Sequence, residues 1–172
     1  MKDIVRDLII RYGADIIRTE EFISSFSQKH HIHKTVGEHT LGVASEGVKF
    51  CLRHGIHDGK TLRNVVRSCL SHDLGILGRQ DKFKNNYECL KQHPKHSSEK
   101  YIQLFGEDND RVNDAILYHM FPLRLHAPRY KEGWILVIAD KAASIKEHIG
   151  KTDVTPEDIR IFKDLSGKSD QQ

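Results

Sequence analysis

No stretch of this 172-residue chain approaches the roughly 20 apolar residues that a membrane-spanning helix needs, so a transmembrane protein is excluded. Cysteine is scarce. Cys51, Cys69 and Cys89 are odd in number and show no C-x-x-C spacing, which argues against a disulfide scaffold or a thiolate zinc site. Free thiols point to a reducing, cytoplasmic compartment. The segment MKDIVRDLII carries Asp3 and Asp7 among its apolar residues and does not read as a signal peptide. Net charge of one sign is small: +3 does not require a nucleic-acid partner. There is one tryptophan and there are two methionines, and the Met and aromatic residues read as core rather than as a cofactor pocket. No linker rich in Gly, Pro or Ser divides the chain, and no repeat is visible. One domain over 1–172 is expected, with N-terminal helices over 1–30, a core over about 35–150, and a short helix and tail over 151–172.

Apolar–polar alternation is also missing, which removes the signal for strands. Apolar residues recur at spacings of three and four, so the fold class is all-α. Helices are predicted over 4–17 (broken near Gly13), 21–29, 37–54, 62–72, Pro94–Phe105, 111–120 and 134–149. Pro94 is placed in a first turn, and Thr155-Pro156-Glu157-Asp158 opens a last helix. The stretch 78–86 reads as a loop or short turn, and the tail from Ser166 as frayed.

What is abundant is histidine: 12 residues. Imidazole is the commonest metal ligand near neutral pH. His39 shares a helix face with Val36, Val43 and Phe50 and should point inward. The ordinary explanation, a core histidine bonded to a carbonyl, competes with a metal-ligand role. Asp140 sits in Trp134-Ile135-Leu136-Val137-Ile138-Ala139-Asp140, where a carboxylate is costly without a cation. That cation is either a Lys or Arg, or a metal ion. His119 continues the stripe Val112, Ala115, Ile116. Spacing prefers His93 over His96 as the inward residue, with first-turn geometry leaving this open. His72-Asp73 ends an apolar helix, where a turn can aim both side chains into one site. Facing helices are the usual source of metal ligands in helical proteins. His30, His31 and His33 read as a histidine-rich surface loop, with a second metal patch as the alternative. His33 and His126 are possible edge residues of the site. His54, His57 and His148 read as exposed.

The order His39 … His72-Asp73 … Asp140 resembles the HD-domain metal-dependent phosphohydrolases. The additional His93 and His119 are similar to the two extra histidines of the binuclear subgroup, which includes cyclic-dinucleotide phosphodiesterases and dinucleoside-polyphosphate hydrolases. The resemblance runs from about Thr35 to Glu147. It implies a helical bundle with the metal site between helices. By the same resemblance His39, His72, Asp73 and Asp140 hold a first metal, and Asp73 bridges to a second completed by His93 and His119. The chain departs from the His-Asp-x-Gly-Lys form, with Ile76 at the lysine position. Met120-Phe121-Pro122-Leu123 also replaces the glycine-tyrosine-proline signature. Both weaken assignment to cyclic-dinucleotide hydrolysis.

Mixed imidazole and carboxylate ligands suit two divalent transition metals: iron, manganese, zinc, cobalt or nickel. The expected activity is hydrolysis of a phosphate mono- or diester, of a nucleotide or similar small molecule, by metal-activated hydroxide with Asp73 central. Substrate phosphates need cations. Arg79, Lys82 and Lys84 follow the His-Asp pair and are the candidates, with Lys82 the single choice as a catalytic contact. Arg124, Arg129 and Lys131, after His119, are read as solvated charges. A di-iron oxygenase and a non-catalytic metal-binding regulatory module are the alternatives.

Overall fold

The computed structural model describes residues 1–31, 34–106 and 109–166. His33, one of the expected edge residues, and the tail over 167–172 lie outside the described residues. The architecture is all-α. Helix α1 covers Asp3–Ile17 and α2 Glu20–Ser25; a two-stranded antiparallel hairpin, β1 (Lys29–His31) and β2 (Lys34–Thr35), leads into α3 (Val36–Arg53). There follow α4 (Gly59–Ser71), a 3₁₀ turn (Leu74–Ile76), α5 (Arg79–Lys82), α6 (Asn86–Phe105), α7 (Asp110–Tyr118), α8 (Lys131–His148) and α9 (Pro156–Ser166).

Local chemistry sets the helix starts. Thr35 and Glu38 form a reciprocal capping box at α3, and Asp58 accepts from the Thr61 N–H at 2.8 Å to start α4. Helix α3 is apolar on two sides because it lies between α4 and α8. Leu41, Val43, Ala44 and Val48 are fully buried there, with Val65, Val66 and Leu70 of α4 and Leu136 and Ala139 of α8 in the same core. Each large aliphatic side chain so buried contributes about 1.5–3 kcal/mol.

Four sequence expectations change. Helix α1 runs unbroken through Gly13, because the missing side chain is a close approach: a Cβ there would lie 2.3 Å from Leu70 Cδ1 of α4. The second helix stops at Ser25, and the hairpin replaces its last turn. Pro94 lies inside α6 and not in its first turn. Asn85 caps that helix nine residues before Pro94, accepting from the Glu88 N–H at 2.9 Å. Burial of Cys89, His93, Ser97 and Tyr101 on one face offsets the hydrogen bond that Pro94 cannot donate. The expected loop over 78–86 contains the single turn α5. It sits over a small second core of Val36, Ile76, Phe83 and Cys89.

Candidate metal centre

The side chains that matter come from five helices. His39 is on α3, His93 on α6 and Asp140 on α8, while His72 and His119 are the residues that end α4 and α7. The chain leaves α4 at His72 in helical geometry (φ −60°, ψ −30°), and Asp73 then takes φ −109°, ψ 8°. This change of direction brings two sequence neighbours, which a continuous helix would separate, into one site. Both are buried.

Asp73 is the centre. Its Oδ2 lies 3.4 Å from His72 Nε2, 3.6 Å from His30 Nε2 and 3.9 Å from His39 Nε2. Its Oδ1 lies 3.5 Å from His93 Nε2 and 4.0 Å from His119 Nε2. Asp140 Oδ1 is 3.1 Å from His39 Nε2 and 4.0 Å from His72 Nε2. The two oxygens of one carboxylate thus face two different sets of imidazoles.

The outward nitrogens of His39, His72, His93 and His119 all have acceptors. His72 Nδ1 donates to the Cys69 carbonyl at 2.8 Å, His93 Nδ1 to Cys89 at 2.9 Å, and His119 Nδ1 to Ile116 at 2.7 Å. His39 Nδ1 donates instead to Glu147, 3.1 Å from Oε2. With the proton on Nδ1, a neutral imidazole turns the lone pair of Nε2 inward, the orientation a metal ligand needs. His93 Nε2 and His119 Nε2 are only 3.1 Å apart. Burial lowers both, His119 to about 3, so neither ring carries a second proton near neutral pH to join them. His72 Nε2 is buried and has no hydrogen-bond partner among the described residues. Converging lone pairs and an unpaired buried nitrogen fit a bound cation.

The carboxylates agree. Burial alone would push the Asp73 carboxyl up, but His72, His30, His93 and His39 hold it well below the ordinary range. Burial works in the same upward sense on Asp140, and the His39 hydrogen bond and the nearby His72 outweigh it. Burial would lower His39, yet its bonds to Asp140 and Glu147 raise it to about 10. Without a metal, a proton occupies that position between carboxylates. Among the described residues, three groups have ligand atoms close enough to share an ion: His39, His72 and Asp140; His72, Asp73 and His119; and His30, His39 and Asp73.

A family model for the HD domain matches residues 36–145. The chain belongs to the HD-domain family. HD domains bind divalent metals, and the family is of the metal-dependent phosphohydrolase type. Neither the comparison with curated proteins nor that with solved structures gives a match.

The remaining predicted residues divide. His96 stays out of the HD-domain cluster: its side chain is 41% exposed, and its ring lies against Phe83. Arg79 lines the cavity above Asp73, about 410 Å³ in volume. Lys82 and Lys84 are exposed and do not line it, because the α5 turn and the Phe83 anchor set them on the outer surface. Arg79, unlike Lys82, is on the cavity wall, where it is joined to Asn86. His126 is exposed on an adjoining shelf, and His54, His57 and His148 are exposed as expected. Three residues were not assigned to this site from the sequence. Lys141 lines the cavity one residue after Asp140. Glu147 lies two turns along α8 from Asp140, a spacing that could have shown it. His30 is not a surface-loop residue but part of the site.

Proposed function

We propose that this HD domain is a binuclear metal-dependent phosphohydrolase acting on a nucleotide or similar small organic phosphate ester. The observation that carries the reading is the Asp73 carboxylate, with His39 and His72 near one oxygen and His93 and His119 near the other. In this reading His39, His72, Asp73 and Asp140 hold one divalent ion, and Asp73, His93 and His119 hold a second. When bound, such a pair neutralises phosphoryl charge and makes hydroxide available near neutral pH.

The protein's own groups do the rest. Arg79 and Lys141 on the cavity wall meet the phosphate oxygens outside the metal shell, Arg79 with a planar fork suited to two of them. Asn86 holds the Arg79 guanidinium in place. Glu147 fixes the His39 ring, and the carbonyls of Cys69, Cys89 and Ile116 fix the other three. Ile76, Leu90, Met120 and Leu123 make part of the cavity wall apolar. The organic part of the substrate has a place as well. An apolar shelf formed with Tyr87, Leu125 and His126 shares Leu90, Met120 and Leu123 with the metal-side cavity.

The test is phosphate release from nucleoside mono- and polyphosphates and from a generic phosphodiester. Apoprotein is reconstituted separately with manganese, iron, cobalt, nickel or zinc. Metal-dependent hydrolysis that disappears in Asp73→Ala is expected. No cleavage of any ester by fully metallated protein would contradict the proposal and leave the oxygenase or the non-catalytic module.

A further inference from the structure

We propose that His30 is a further metal ligand, delivered from the hairpin to the Oδ2 side of Asp73; the inference rests on the metal-centre reading above. His30 lies outside the residues that the HD family model matches, 36–145. It nevertheless lines the cavity with His39, Asp73 and Asp140, and its side chain is 13% exposed. Its ring centroid is 4.5 Å from that of His39.

The spacing is that of ligands around a common centre. His30, His39 and His72 place Nε2 at 3.6, 3.9 and 3.4 Å from Asp73 Oδ2. Direct hydrogen bonds from nitrogen to oxygen cluster near about 2.9–3.0 Å, so these three separations are long for such bonds. Bonds of about 2.0–2.2 Å to a shared ion leave ligand atoms roughly 3–3.5 Å apart, a range that includes the His72 separation and that those of His30 and His39 slightly exceed.

The position of His30 is built into the fold. The Gln28 side chain donates to the Ile76 carbonyl at 2.9 Å and accepts from the Gly78 N–H at 2.7 Å. The Gln28 carbonyl accepts from the Val36 N–H at 2.9 Å. Lys29 pairs with Thr35, the residue that caps α3. The start of the hairpin is thus tied both to the His-Asp turn and to the helix that carries His39.

A consequence is asymmetry. Among the described residues, the Oδ2 side has His30, His39, His72 and Asp140, while the Oδ1 side has His93 and His119 beside Asp73. The Oδ2-side ion is held more tightly, and positions open to water and substrate concentrate on the other side.

The experiment titrates apoprotein with Co²⁺ and records affinity and visible absorption for wild type, His30→Ala, His30→Gln and His72→Ala. Circular dichroism checks the fold. Losing a ligand should weaken the tighter Co²⁺ site at least tenfold in both His30 variants. It should also change the visible band, and added imidazole should restore the wild-type band in His30→Ala. Wild-type affinity and spectrum in the His30 variants, alongside loss in His72→Ala, would overturn this inference alone. A weakening that leaves the band unchanged, or that imidazole does not reverse, makes His30 a packing residue and also overturns it. If His72→Ala binds Co²⁺ like wild type as well, the metal-centre reading itself fails.

Discussion

Removing the Glu147 carboxylate isolates a group that touches none of the proposed ions. Its oxygens lie 3.2 and 3.1 Å from His39 Nδ1, and its side chain is largely buried. Glu147→Ala leaves the Nδ1–H without this acceptor and frees the ring to rotate. Loss of such an outer partner typically costs 10–100-fold in metal affinity, about 1.4–2.7 kcal/mol. Charge acts in the same direction, because the carboxylate attracts a divalent ion more strongly than the single proton it displaces from His39. Glu147→Gln keeps the shape and one acceptor oxygen, so its loss should be smaller, under about tenfold. The assay is competition for metal against a chelator of known affinity, with circular dichroism as the fold check. Equal metal affinity in Glu147→Ala and wild type would refute the reasoning, since His39 would then need no orientation from Glu147.

Further outcomes follow from other contacts. A Cβ on Gly75 would lie 2.4 Å from the His93 carbonyl oxygen and 2.6 Å from the Ser97 nitrogen, both backbone atoms. Gly75→Ala should therefore displace the His72-Asp73 turn and weaken metal binding, with overpacking costing about 1–3 kcal/mol in denaturant unfolding. Arg79→Ala should lower kcat/KM for the phosphate ester about ten- to a hundredfold with metal content intact, the worth of a charge-assisted hydrogen bond. Lys82→Ala should change kcat/KM less than threefold, and the reverse order would return the phosphate contact to Lys82. The buried Asp158 carboxyl, which burial alone would raise, is held down to about 2 by the Met1 ammonium, Thr155 and Arg6. Its folded value lies below its unfolded one, so its stabilisation of about 2 kcal/mol is present above pH 4 and is lost as pH falls toward 2. Asp158→Asn should lower unfolding free energy by about that amount at pH 7 and flatten the acid limb between pH 4 and 2.

The parts of the site legible in the sequence were those tied to helical periodicity. His39 fell on the stripe of Val36 and Val43, His119 on that of Val112 and Ile116, and Asp140 was conspicuous inside an apolar helix. His93 was preferred to His96 by the same spacing, even though the start of that helix was misplaced. A proline raises the cost of a helix interior without forbidding it, and the Asn85 cap together with a buried face outweighed Pro94. The hairpin was invisible because two strands of three and two residues carry no usable alternation. Their pairing is set by contacts to distant segments, such as Gln28 to Ile76. For the same reason His30 was read as part of a surface loop, with a separate metal patch as the alternative, and not as part of this site. Lys82 was favoured over Arg79 because a loop reading gave no direction to either side chain. The single turn of α5 supplies that direction and exposes the lysine. Glu147 could have been read from its seven-residue spacing to Asp140, but a glutamate near a helix end is ordinarily a solvated charge.

The most direct measurement of the central claim is anomalous diffraction from crystals of the metal-loaded protein, collected at the absorption edge of the metal supplied. Two peaks are expected on opposite sides of the Asp73 carboxylate, about 3.5–4 Å apart. One should be bounded by His39, His72 and Asp140, the other by His93 and His119. A single peak in fully loaded crystals, or peaks away from Asp73, would contradict it.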